Sequence, residues 1–259
     1  MLAQPERDRR RPGGVEVHAR PVPGLDRGVP VVNATILATR PHVARGDKPE
    51  ALSAITSQAV NLALWQRRLP RALEASIEAH RTRPIVGEAW FDACDSAALT
   101  DGHFAALLRD VSPADQALWR ADIAPLLDEF ARLSAAHVVR ATLETVTGSA
   151  CRKFHVDWIG LRLLCTYDGA GTQWLPDAAV RRDMLTVGDN DDIVDDPASV
   201  QSMACGDVGL FKGEAWPGNE GRGIVHRSPP KPEGGHRRVL LCLDADAVDH
   251  SRLGSASRV

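Results

Sequence analysis

Between residue 48 and about residue 80 the apolar positions Leu52, Ile55, Ala59, Leu62, Leu69, Leu73 and Ile77 recur with the 3.6-residue spacing of an amphipathic helix. Pro70 interrupts that pattern, because its ring and missing N–H break a helical ladder. Asp101 can cap a further helix running to Leu108. Ser112 followed by Pro113 reads as an N-cap with proline at the first helical position, and Asp115 adds negative charge to the first turn. Trp119, Ile123, Leu126, Leu127, Phe130 and Leu133 then share one apolar face, along which Pro125 is expected to kink or split the helix.

At about His137 the period falls to two. Val139, Ala141 and Leu143 alternate with Arg140, Thr142 and Glu144, which is the pattern of a half-buried strand. Further strands are expected at 154–157, 160–167, 172–175, 207–211, 223–226 and 238–243, separated by the turn-rich stretches DGAG, WPGNEGRG and SPPKPEGG. Short strands in succession over about 110 residues suggest a small antiparallel barrel or jelly roll. The fold class expected is therefore α+β, in four parts. Residues 1–48 are a flexible leader and extended arm, rich in Pro, Gly and Arg, with residues 31–37 the first ordered run; 49–136 are a helical lobe; 137–246 are the barrel; 247–259 are a flexible tail.

Composition narrows the function classes. With 259 residues, 44% hydrophobic and 25% charged, the chain can bury a sizeable core, which excludes disordered and fibrous classes. Its longest apolar runs, such as 239–243, are far short of the roughly 20 residues that span a bilayer, so no membrane partner is expected. The net charge is −3, lysine occurs only at Lys48, Lys153, Lys212 and Lys231, and the arginines are scattered, so no basic stripe points to nucleic acid. The basic start precedes no apolar stretch of the length a secretion signal needs, and a cytoplasmic location is expected. Five cysteines without C-x-x-C spacing read as reduced thiols rather than a disulfide framework or zinc ribbon.

His155 and Asp157 stand two apart in an expected strand, so their side chains leave on one face and can grip a single metal ion. An H-x-D triplet by itself arises by chance about once in a chain of this make-up. Its weight comes from His226 at the end of another expected strand, since two histidines and one carboxylate form the facial triad of non-haem Fe(II). Arg237, at the mouth of the last strand, can take a co-substrate carboxylate in a bidentate pair. Its neighbour Arg238 points to the opposite face, and a register error of one residue exchanges their roles. Tyr167 and Arg162 are further candidates for an acidic co-substrate. Cys165, with the strand parity of Asp157, opens an alternative in which a thiolate favours zinc. The acidic stretch 188–196 lacks the sixth-position Gly and terminal Glu of a calcium loop and reads as a solvated insertion or lid.

The order FHVDWIGLRLLCTYDGAGTQWLP, then GDVGLF, then IVHRSPPKPEGGHRRVLLCLD resembles the double-stranded β-helix of the Fe(II)/2-oxoglutarate-dependent dioxygenases, a cupin-like jelly roll. From about Asn61 to Asp244 the chain is similar to the bacterial domain-of-unknown-function family 1826, with FHVD, LRLLCTY, GAGTQWLP and HRSPP its most recognisable pieces. The first resemblance implies iron at His155, Asp157 and His226, 2-oxoglutarate at Arg237, and oxidation of a small-molecule or other substrate that it leaves unspecified. A cupin-like metal-binding protein without oxidative activity, holding zinc through the same triad with Cys165, is the alternative.

Overall fold

The computed structural model describes residues 42–92, 101–148, 151–230 and 237–245. The run expected at 31–37 and the tail expected at 247–259 lie outside the described residues. In chain order the elements are β1 (Val43–Gly46), a 3-10 helix Pro49–Thr56, β2 (Leu62–Trp65), α1 (Arg71–Ala79), β3 (Val86–Asp92), α2 (Asp101–Leu107) and α3 (Gln116–Ser134). They continue with β4 (Val138–Val146), β5 (Leu161–Asp168), β6 (Gln173–Trp174), α4 (Met184–Val187), α5 (Asn190–Ile193), β7 (Gln201–Ser202), β8 (Val208–Lys212), β9 (His226–Arg227) and β10 (Arg238–Ala245).

Alternation builds a seven-stranded sheet in the order β1-β2-β8-β5-β10-β4-β3, antiparallel except for the β1–β2 pair. In β3 every second residue is buried, as the period of two demands when one face meets a core and the other meets water. The covered face takes the helices: Leu73 and Ile77 of α1, Phe104 of α2, and Trp119, Ile123, Leu127 and Phe130 of α3 pack with Ala141, Leu163 and Leu241 of the strands. The opposite face meets a three-stranded sheet ordered β7-β6-β9, where Leu64, Leu164 and Phe211 pack against Trp174, Met203 and Ile224.

Several sequence expectations are corrected. The segment 48–80 is not one interrupted helix but a 3-10 helix, a strand and a helix. Leu62 and Leu64 of β2 face the small sheet while Ala63 faces the helices, and burial on both sides imitates helical spacing over so short a run. Pro70 does not break α1; it stands immediately before its first residue. Pro125 likewise leaves α3 continuous over Gln116–Ser134, since it removes one main-chain donor from a helix whose whole inner face is buried. Finally, β2 and β3 pair into the same sheet as β4, β5, β8 and β10, so the stretch expected as a helical lobe supplies strands to the barrel-like half as well as the helices that cover it. The leader, too, ends in a strand, β1, pairing in parallel with β2.

Candidate metal centre

His155 and Asp157 lie in the segment between β4 and β5, and His226 opens β9. Residues 154–157 do not form the regular strand expected. Instead His155 and His226 exchange both main-chain hydrogen bonds, each 3.0 Å, in an isolated antiparallel bridge. That bridge brings the two imidazoles together, 4.6 Å between ring centres and tilted 48° to each other, with Phe211 packed 5.1 Å from the His226 ring. Asp157 follows on a turn held by its own carbonyl, which accepts from Glu214 N at 2.8 Å. Close approach is obligatory there: a Cβ on Gly213 would lie 2.2 Å from the Ile159 carbonyl oxygen and 2.6 Å from that of Asp157.

The donor atoms converge. One ligand atom from each of His155, Asp157 and His226 lies within 4.8 Å of the others. His155 Nε2 is 3.7 Å from Asp157 Oδ1 and His226 Nε2 is 3.4 Å from Asp157 Oδ2. The far side of each ring is fixed in the same way: His155 Nδ1 bonds the Lys153 carbonyl at 2.9 Å and His226 Nδ1 bonds the Ile224 carbonyl at 3.1 Å. A carbonyl only accepts, which puts a ring proton on Nδ1 of each histidine and turns Nε2 inward, as the atom available to a metal. Burial and the neighbouring His226 pull the His155 pKa down, so the neutral form that binds metal is favoured. Burial alone pushes the Asp157 carboxyl up, but His226 and the Arg162 guanidinium outweigh it and hold the pKa at about 2, leaving an anion.

His155 and His226 open onto a cavity of about 270 Å³ between the two sheets, lined by alternate residues of β4, β5 and β10; β4 contributes Arg140, Thr142, Glu144 and Val146. From β10 these are Arg238, Leu240, Cys242 and Asp244, and from β5 Arg162 and Leu164. Strand parity therefore sorts the other candidates. Arg238 faces the cavity, 2% exposed, donating to Thr166 Oγ1 at 3.0 Å, Thr172 Oγ1 at 2.7 Å and Ser228 Oγ at 3.4 Å. Its Nε is buried with no hydrogen-bond partner, and burial draws its pKa down to about 10. Arg237, favoured by the sequence, precedes β10 and does not line the cavity; it lies 4.0 Å from Asp168 Oδ2, and its three guanidinium nitrogens are buried with no hydrogen-bond partner among the described residues. Tyr167 and Cys165 sit on the helix face of β5. The Tyr167 hydroxyl donates to Asp122 Oδ2 at 2.6 Å, and Cys165 Sγ lies 3.7 Å from Arg67 and from the Gly206 carbonyl, its thiol pushed up to about 12 by burial. Cys165 is thus no part of the triad's surroundings, and the thiolate-supported zinc site loses its basis. Arg162 does reach the site, donating to Asp157 Oδ2 at 2.8 Å and to both oxygens of Asp244. Thr166, Thr172, Ser228 and Asp244 escaped the sequence reading, although a period of two counted from Leu240 and Leu164 marks Asp244 and Thr166.

A family model described as "Protein of unknown function (DUF1826)" matches residues 46–244. The chain belongs to the DUF1826 family. Comparison of this family member with functionally curated proteins gave no match. Among solved structures the DUF1826 chain is similar to a dioxygenase for auxin oxidation from Arabidopsis thaliana, a 2-oxoglutarate complex, at 8% identity, TM-score 0.45, covering 79% of this chain and 92% of that one. It is also similar to the Fe(II)/α-ketoglutarate-dependent dioxygenase TqaL, at 12% identity, TM-score 0.45, covering 77% and 87%. A third is HygX from Streptomyces hygroscopicus with nickel and 2-oxoglutarate bound, at 10% identity, TM-score 0.40, covering 76% and 87%. Among the described residues no helix is long and apolar enough to cross a membrane.

Proposed function

We propose that this DUF1826 protein is a mononuclear non-haem Fe(II)/2-oxoglutarate-dependent oxygenase whose two facing sheets form a double-stranded β-helix. The observation that carries this reading is the donor set: two Nε2 atoms and one carboxylate turned onto a common point, each ring fixed from behind by a main-chain carbonyl. Two imidazoles and a carboxylate fit Fe(II) with positions left open for other ligands, and no sulfur joins them to favour zinc. The cavity also fits an acidic co-substrate. Among the described residues Arg238 is a buried cation met by hydroxyls, with an orphaned Nε and no carboxylate partner, so an anion arriving there would complete its hydrogen bonds and relieve the cost of its burial.

In this reading His155, Asp157 and His226 hold the metal, and Arg238 with Thr166 and Thr172 orients the distal carboxylate of 2-oxoglutarate. Leu164 and Leu240 line the cavity beside them. When bound, the metal and co-substrate supply the oxidative chemistry, in which O2 gives one atom to succinate, formed with loss of CO2, and the other to the substrate. The protein's share is to order the two sites along one wall, which is why the ligating segment and β10 must keep their register. Anaerobic purification, Fe(II) titration and a succinate-release assay test the proposal: one equivalent of iron and turnover of 2-oxoglutarate are expected. Iron binding without any consumption of 2-oxoglutarate would instead favour a cupin-like metal-binding protein lacking oxidative activity.

A further inference from the structure

Three charged side chains behind the metal site are more ordered than ligation alone requires. Arg162 on β5 stands directly across from Asp244 on β10 in the sheet register, and the pair is joined by two hydrogen bonds, Nε to Oδ1 at 2.6 Å and Nη2 to Oδ2 at 3.0 Å. The remaining arm, Nη1, reaches Asp157 Oδ2 at 2.8 Å. All three side chains are largely withdrawn from water, at 24%, 13% and 14% exposure for Arg162, Asp244 and Asp157. Cys242, on the same face of β10, brings its Sγ to 3.5 Å from Asp244 Oδ1.

A guanidinium meets a lone carboxylate best as a fork, two parallel N–H groups on two oxygens. Here Asp244 takes the Nε/Nη2 fork, and Asp157 receives a single bond on a single oxygen. We propose that Asp244 is a positioning residue for the metal-binding carboxylate: by engaging the Arg162 fork it stops that guanidinium from claiming both oxygens of Asp157, and so leaves Oδ1 available to a divalent cation. Arg162 in turn fixes the rotation of the Asp157 carboxylate through Oδ2. The inference rests on the reading of His155, Asp157 and His226 as metal ligands, and assigns Arg162 a place behind the metal rather than a contact with co-substrate.

The arrangement makes opposite predictions for its two members. In Asp244→Asn the fork loses its counter-charge and turns to Asp157, where it competes with metal, so Co(II) affinity measured by calorimetry falls by about 10–100-fold, the range for partners of metal ligands. Arg162→Met removes the competitor; affinity is held or increased, and the visible absorption of bound Co(II) changes as Asp157 Oδ2 is released. The double variant Asp244→Asn/Arg162→Met recovers most of what Asp244→Asn loses. Thermal unfolding without metal shows that each variant is folded. A merely structural pair would weaken binding in both single variants and more in the double; that result, or unchanged affinity in Asp244→Asn, overturns the inference. Failure of the unaltered protein to bind one Co(II) overturns instead the metal reading on which it stands.

Discussion

Two buried arginines, Arg67 on the helix face of the large sheet and Arg238 on its cavity face, are met in opposite ways. On the helix face Arg67 meets Asp122 in a fork of 2.7 and 2.8 Å, gives its Nε to the Gly206 carbonyl at 2.9 Å, and shares Asp122 with the Tyr167 hydroxyl. Both charges of that pair are answered. On the cavity face Arg238 is at least as buried but is met only by hydroxyls, with one nitrogen unanswered. An uncompensated buried cation costs the fold several kcal/mol by rough reckoning. A saturated pair such as Arg67 and Asp122 holds a scaffold together, whereas the unanswered nitrogen of Arg238, turned to the cavity, supports the anion site proposed there.

The largest effect that would break this contrast belongs to the triad. His155→Ala or Asp157→Ala should abolish stoichiometric metal binding, read by elemental analysis, while the unfolding temperature of the metal-free protein stays close to that of the parent. Next comes the helix face: Asp122→Asn leaves Arg67 buried without its partner and should destabilise the protein by about 3–5 kcal/mol in urea unfolding, with the metal affinity of the folded fraction unchanged. Arg238→Met should do the reverse. Removing an unanswered cation leaves the metal-free protein no less stable, but weakens 2-oxoglutarate binding by about 2–5 kcal/mol in calorimetry. Equal stability losses in Asp122→Asn and Arg238→Met would erase the distinction between the faces.

The smallest effect sharpens it through a third buried cation. Lys212, with its Nζ on the Ser57 carbonyl at 2.8 Å and over the Trp216 ring, has its pKa lowered by burial from 10.5 to about 8. Below pH 8 the lysine is charged in both folded and unfolded chains and its burial penalty is fully present. Between about 8 and 10.5 the folded chain gives up its proton first, so this residue's contribution to stability rises with pH. Urea unfolding across that range should show the rise in the parent and a flatter profile in Lys212→Met.

How much of this was legible in the sequence follows from period and register. The grouping of His155, Asp157 and His226 was legible because an H-x-D triplet keeps its spacing whatever the local backbone, and the structure brings one donor atom of each within 4.8 Å of the others. Arg237 and Arg238 were legible as a pair but not in order, since a strand's start shifts by one residue without altering its pattern, and one residue exchanges the faces. Tyr167 was misplaced for a related reason: it shares parity with Cys165, and both look toward α3 rather than the cavity. β2 was hidden because four residues buried on both sides carry no period of two. Asp244 was passed over because an acid near the end of a strand looks like a solvated terminus until its partner across the sheet is known.

The reciprocal bridge between His155 and His226 bears on assembly. The two ligands are far apart in the chain, and only the completed pairing of the segments around them brings their rings together. Closing so long a loop is entropically costly and belongs late on a folding route. A nascent chain therefore has no triad to offer until its late strands are in place, and under the proposed function metal capture would report the end of folding rather than seed its beginning.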